Sequence, residues 1–302
     1  MITPFKSYRE IDKNSWNVIY SEGAVQIVNG CLMLILLLYL KNKGFSDGDS
    51  ARFTAARFLG VLLISFPLGI YIKKRKLLPF FRMASIAVPL FTLLSVFAVE
   101  HHQNWLIYTS FFFWGIAFSF AEIVKLPFML RYADKKVLTN AIALSYATWS
   151  FGAIIAAVLI YLLSLISTTL FDEKNCIIVI SILSLFGAYF SFKIKEPEIS
   201  LETKETKFNL NEYEWGKIVY SLTPTFLIAV GAGMSIPFVP LFFEHTFNMN
   251  YSTFAGYGFL AYILVFVMTM LTPSISKKLG YQIAIPLTQL LSVSCLVLMG
   301  VT

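Results

Sequence analysis

Nine long apolar runs divide this chain, with short polar stretches between them. They fall near Trp16–Leu40, Phe53–Ile72, Leu78–Val99, Trp105–Arg131, Leu138–Ile166, Cys176–Phe192, Trp215–Phe243, Ser252–Ile275 and Tyr281–Val301. A helix needs roughly 20 residues, rising 1.5 Å each, to cross about 30 Å of hydrocarbon, so each run predicts a membrane-spanning helix. The runs lack the period-two alternation of a transmembrane strand, which argues against a β-barrel. Composition agrees. Of 302 residues, 57% are hydrophobic and only 14% charged, against about 25% charged in soluble domains. The expected class is an all-α polytopic membrane protein.

Charge gives the runs a direction. If the N-terminus faces the cytoplasm, the loops on that side collect eighteen of the 24 Lys and Arg. The opposite side holds Lys41, Lys43, Arg52, Arg57 and Lys174, and Lys125 falls inside a run. That bias follows the positive-inside rule and predicts an N-terminus in the cytoplasm; the plasma membrane is the expected location. Trp16 and Trp215 then lie at the inner edge and Trp105 at the outer. The net charge of +7 reflects this orientation, so nucleic acid is not an expected partner. The first run is too long for a signal-peptide core. Cys31, Cys176 and Cys295 have no metal or disulfide spacing, and His101, His102 and His245 fall at the outer side as solvated residues. HExxH, G-x-S-x-G and Walker A patterns are absent, so no enzyme activity, metal or cofactor is expected.

Candidate chemistry lies in the ionisable residues inside the runs, where an unpaired charge costs about 3 kcal/mol or more. Glu22 lies about two turns into the first run, with Gln26 and Asn29 one and two turns further along the same stripe. This stripe reads either as the polar wall of a cavity, with Glu22 binding a proton or a cationic substrate, or as a carboxylate reaching the nearby water layer. Glu122 and Lys125 stand three apart on one helix face. They form either a self-contained ion pair, with Lys125 able to snorkel past Tyr132, or a proton-exchange site. Arg57, one turn inside the outer end of its run, suits snorkelling to that surface or contact with an anionic solute. Phe111, Phe112, Phe113, Trp114 and Trp149 either line a cavity or face lipid. Pro127 is expected to kink the fourth run.

The runs also repeat. Gly69 followed by Lys73, Lys74 and Arg75 is echoed 204 residues later by Pro273 followed by Lys277, Lys278 and Gly280. Leu38-Tyr39-Leu40-Lys41 closes the first run as Leu241-Phe242-Phe243-Glu244 closes the seventh. Between the copies lies the mixed-charge segment 195–215, a linker by composition. This layout resembles the major facilitator superfamily of secondary transporters, whose members join two six-helix bundles by a long inner loop. The resemblance implies an N-terminal bundle over 1–194, a cytoplasmic linker over 195–215 and a partial C-terminal bundle over 216–302. It further implies nine helices of an expected twelve, so the chain is expected to be C-terminally incomplete. It gives Gly69 and Pro273 the role of letting helices approach closely beside the basic loops. The chain departs from the family pattern in having no Asp after the glycine. The run Ile228–Phe242 resembles the family's seventh helix, with Gly231, Gly233, Pro237 and Pro240 as hinge residues. In the fifth run, Phe151 to Ala157 carries small residues suited to tight packing.

The function implied is secondary active transport of a small solute by alternating access, with protons as a candidate coupling ion. A lean towards export of drug-like or metabolite compounds rests on the aromatic content. A membrane receptor or scaffold built on the same fold is the rival reading.

Overall fold

The computed structural model describes residues 10–196 and 214–301. Among these every regular element is helical: α1 (Lys13–Asn42), α2 (Asp47–Tyr71), α3 (Leu78–Glu100), α4 (Asn104–Tyr132), α5 (Leu138–Ile166), α6 (Glu173–Ser184), α7 (Phe186–Lys193), α8 (Trp215–Ser235), α9 (Val239–Phe247), α10 (Tyr251–Leu279) and α11 (Tyr281–Val301). Short 3-10 turns follow α2, at Ile72–Lys74, and α8, at Ile236–Phe238. Among the described residues eight stretches are long and apolar enough to span a membrane, α6–α7 and α8–α9 each counting once. The ninth expected run forms α11. Most of the expected linker and the side chains of Lys74, Pro273, Lys277 and Lys278 lie outside the described residues.

Several helices begin where polar residues can cap them. Asp12 accepts from the backbone N–H groups of Asn14 and Ser15 at 3.0 and 2.9 Å and starts α1. Ser46 accepts from the Asp49 N–H at 3.1 Å and starts α2 at Asp47, six residues before the apolar run begins. Asp172 does the same for α6 through Asn175, at 2.8 Å. Each cap satisfies donors that a helix start leaves open, a contribution of about 1 kcal/mol. The early start of α2 moves Arg57 from the expected single turn to nearly three turns inside the helix, by roughly 3.6 residues per turn.

Two expected spans are interrupted. At Leu185 the backbone tightens, its N–H bonding to the Ile182 carbonyl three residues back, and α6 passes into α7. The seventh span breaks between α8 and α9. Gly231 and Gly233 stay inside continuous α8, so they do not form the break expected of them. Pro237 lies in the 3-10 turn, and Pro240 falls in the first turn of α9, where a missing N–H costs nothing. Pro127 is carried inside α4.

Helix pairs α1–α5, α2–α4, α3–α4 and α5–α10 make the largest contacts. Lipid tails are as apolar as leucine, so close approach, rather than escape from water, holds such pairs. A Cβ on Gly60 of α2 would fall on the Phe112 carbonyl of α4, and one on Gly115 of α4 on the Arg57 carbonyl of α2. Gly152 meets the Gln26 backbone in the same way, and Gly30 meets Ala153. These glycines set both crossings. The small residues expected to pack tightly on α5 are at the second: Ala153, Ala156 and Ala157 are buried. Apolar core gathers in two clusters. One holds Leu36, Val96, Phe111 and Ile180 towards the end remote from the N-terminus; the other holds Val18, Leu77, Phe81 and Phe128 near the basic loops.

Candidate functional site

Between these clusters the structure brings together all six intramembrane candidates. Lys125 of α4 turns inward, and its Nζ lies 2.7 Å from Glu22 Oε1 on α1 and 2.9 Å from Glu122 Oε2 one turn back on α4. It neither snorkels past Tyr132 nor forms the self-contained pair with Glu122. Its ammonium also lies 4.7 Å from the centre of the Tyr146 ring on α5. From Glu122 a chain of donors leads deeper. Gln26 Nε2 donates to Glu122 Oε1, Asn29 Nδ2 donates to Gln26 Oε1 at 3.2 Å, and Arg57 donates to Asn29 Oδ1.

Arg57 is buried on α2 and does not reach the surface it was expected to seek. Its guanidinium carbon lies 3.9 Å from the centre of the Trp114 ring. The ring is fixed by its own N–H, which donates to Thr92 Oγ1 at 2.8 Å. A desolvated cation over tryptophan gains about 2 kcal/mol, which offsets part of the burial cost. The contact depends on the Gly60–Gly115 crossing, which puts the two residues at the same level. Trp114 and Phe111 are therefore core residues rather than cavity lining.

Accessibility divides the charged groups. The side chains of Glu22 and Lys125 are 0% and 2% exposed, that of Glu122 29%. Formally two carboxylates face two cations, so the assembly is neutral as drawn. It is nonetheless incompletely satisfied: Glu22 Oε2 is buried with no hydrogen-bond partner among the described residues. Every donor along the chain points towards Glu122. By helix rise the assembly extends from roughly 10 Å inside the basic end to roughly 15 Å from the opposite end, so it crosses the middle of the span.

At the end remote from the basic loops the later helices meet the earlier ones through polar contacts. Lys41 of α1 pairs with Glu244 of α9. Tyr251 donates to the Phe171 carbonyl at 2.7 Å, and the Ser164 and Ser252 hydroxyls lie 2.7 Å apart. His245 Nε2 stands 3.7 Å from Asp47.

The basic loop after α2 is organised differently from expectation. A Cβ on Gly69 would meet nothing within 4 Å, so this glycine does not permit a close helix approach. Lys73 and Arg75 are exposed, and Arg75 stacks over Tyr71 at 4.3 Å. What ties the loop down is Arg131, at the end of α4, which donates to the carbonyls of Ile72, Lys73 and Arg75 at 2.7, 2.8 and 3.0 Å. Glu196 accepts from Leu77 N–H at 2.7 Å, Leu78 N–H at 3.2 Å and the Tyr132 hydroxyl at 2.8 Å. Sequence reading missed both residues. Gly280, at φ +72°, occupies a left-handed turn between α10 and α11 that glycine adopts without penalty.

Comparison with known proteins agrees with this architecture. Residues 21–302 match the family model described as Major Facilitator Superfamily. Among solved structures, a crystal structure of a D-xylose-proton symporter superposes with a TM-score of 0.59 at 11% identity, covering 87% of this chain and 69% of that one. At such identity the likeness speaks for the fold alone. No curated protein sequence matches significantly.

Proposed function

This chain belongs to the major facilitator superfamily, and from that premise we propose that it couples solute movement to protons through Glu122, Lys125 and Glu22. Membership makes it an integral membrane secondary transporter; the coupling, the roles of the residues and the class of solute are the proposal. One observation carries it: a buried lysine shared by two carboxylates, only one of which reaches an exposed surface. Water can deliver a proton to Glu122. Once Glu122 is neutral, Lys125 pairs with Glu22 alone and Gln26 loses its charged acceptor. Gln26, Asn29 and Arg57 are then free to exchange hydrogen bonds with a solute, and the unpartnered Glu22 oxygen can accept one more.

The lining so formed suits a small hydrogen-bonding metabolite better than a greasy drug, since Trp114 and Phe111 are committed to the core. Alternating access would rock residues 1–194 against 216–302 about the linker 195–215, with Pro237 and Pro240 as the flexible point. The excess of Lys and Arg supports a cytoplasmic N-terminus in a plasma-membrane protein. The Lys41–Glu244 and Ser164–Ser252 contacts then close the outer side.

Proteoliposomes loaded with a pH-sensitive dye and challenged with a panel of sugars, amino acids, organic acids and amines test the reading. Solute-driven proton movement is expected for at least one class. Glu122→Gln should abolish accumulation driven by a pH gradient and spare solute counterflow, and should flatten the dependence of uptake on pH. Unchanged pH dependence removes Glu122 from the mechanism. Absence of flux for every class favours the receptor or scaffold reading.

A further inference from the structure

The face of α1 turned away from α4 borders a second feature, an apolar groove of about 450 Å³ between α5 and α6–α7. Trp16, Tyr20, Gly23 and Ile27 of α1 form its floor, and Phe151 of α5 and Phe186 of α7 form its walls. Tyr20 and Phe151 are about half exposed and Phe186 about two thirds, so the groove opens sideways from the bundle. Along α1 it runs from Trp16 to Ile27, roughly 16 Å by helix rise, about half of a 30 Å hydrocarbon layer and so the depth of one leaflet.

Its mouth is charged on both sides. On α1, Lys13, Trp16 and Tyr20 follow one helical stripe, and Lys13 is exposed one turn beyond the groove. On antiparallel α7, Phe186, Phe190 and Lys193 repeat that order towards the same end, and exposed Lys193 lies 3.9 Å from the centre of the Tyr189 ring. Between them Trp16 stacks on Tyr20 at 5.2 Å, and Tyr20 lies 5.1 Å from Phe190. Aromatic rings and lysines at this level mark the headgroup layer. Gly23 adds an independent sign. A Cβ there would meet nothing within 4 Å, so no neighbouring helix explains a glycine that weakens α1; its effect is to keep the floor open.

We infer that this groove binds one acyl chain of an anionic phospholipid from the leaflet at the basic end, with Lys13 and Lys193 holding the headgroup. The inference is independent of the proton-coupled reading, because it uses none of the residues invoked there. Each lysine near an anionic lipid surface strengthens binding about fivefold.

The full chain in phosphatidylcholine vesicles, titrated with phosphatidylglycerol brominated in its acyl chains, tests it through tryptophan quenching. A component saturating at low mole fraction is expected, and Trp16→Phe should remove it. Lys13→Gln with Lys193→Gln should shift its midpoint by at least fivefold, and Gly23→Leu, which fills the floor, should erase it. If Gly23→Leu fails to fold, the paired lysine variant decides, since both side chains are exposed. Quenching that rises linearly and equally with brominated phosphatidylcholine overturns the site. So does a saturable component unaffected by Gly23→Leu or by the lysine pair. Loss of quenching as the protein-to-lipid ratio rises would place a second copy of the chain in the groove, which also overturns it.

Discussion

The first six spans and the last three are built from equally apolar sequence and differ in what holds them. In the first six spans the buried share of the most apolar stretch runs from 28% in α2 to 78% in α1; the corresponding shares are 17% for α8–α9 and 11% for Tyr251–Thr269 of α10. Among the described residues α8 buries no side chain at all. In water such exposure would be a defect, but in lipid it costs little, because hydrocarbon solvates an apolar helix as well as another helix does. The earlier region therefore owes its cohesion to features lipid cannot replace: glycine-mediated crossings and buried polar pairs. The later region touches it mainly through α10 on α5, with smaller contacts of α10 and α9 on α1.

The largest contrast should come from removing a buried charge. Lys125→Met leaves Glu22 with neither oxygen satisfied inside the bundle, and breaking such a pair costs about 3–5 kcal/mol. A marked fall in melting temperature in detergent is expected, with most of it recovered in the Glu22→Gln, Lys125→Met double variant. The same change in the later region, Lys217→Met, removes the solvent-exposed pair to Glu214 and should leave melting unmoved. Equal effects at the two sites would contradict the division.

Backbone crossings come next. Gly60→Leu drives a side chain into the Phe112 carbonyl, where no flexible neighbour can give way. Overpacking of this kind costs about 1–3 kcal/mol, and it should also loosen the Arg57–Trp114 contact, read as a change in tryptophan fluorescence. Gly231→Leu in α8 meets nothing within 4 Å and should be neutral or mildly stabilising through helix propensity. A Gly60→Leu protein that melts with the parent would mean the α2–α4 crossing is not set by these glycines.

Legibility in the sequence divides along the same physical line. Apolar run length is a property of one helix, so the spans could be read directly. The Glu22, Gln26, Asn29 stripe is also local, since helical periodicity alone places the three on one face. Their partners were not local. That Lys125 chooses Glu22 over Glu122 alone, and that Arg57 turns inward, depends on how α1, α2 and α4 cross; Gly60 and Gly115 set the α2–α4 crossing, and neither belongs to the stripe on α1. One further signal is local: Ser46 three residues before Asp49 is a capping pattern that starts α2 early and carries Arg57 deeper into the helix. Arg131 and Glu196 were invisible for another reason. Their partners are mostly backbone groups, and Arg131 bonds three carbonyls that no residue identity announces. The structure thus restrains the basic loop without the aspartate that the family pattern places there.

The smallest expected effect falls on the tie between the two regions. Lys41 and Glu244 are 35% and 29% exposed, so water screens their attraction and the pair contributes about 0.2–1 kcal/mol. Overall stability should barely register Lys41→Ala, but an equilibrium between two arrangements of similar energy responds to such an amount by up to about fivefold. A cysteine placed by Thr148→Cys, a buried position about three turns into α5, on a background lacking the three native cysteines offers a readout. Its labelling by a membrane-impermeant reagent added from the end carrying Lys41 should rise by that factor when Lys41→Ala is added. Exchanging the charges, Lys41→Glu with Glu244→Lys, should return labelling to the parent rate, whereas Lys41→Glu alone should raise it further by setting two carboxylates together. Labelling that ignores all three variants would mean that the closed end is held by Tyr251, Ser164 and the apolar contacts of α10. The ion pair would then be a passenger on an interface defined elsewhere.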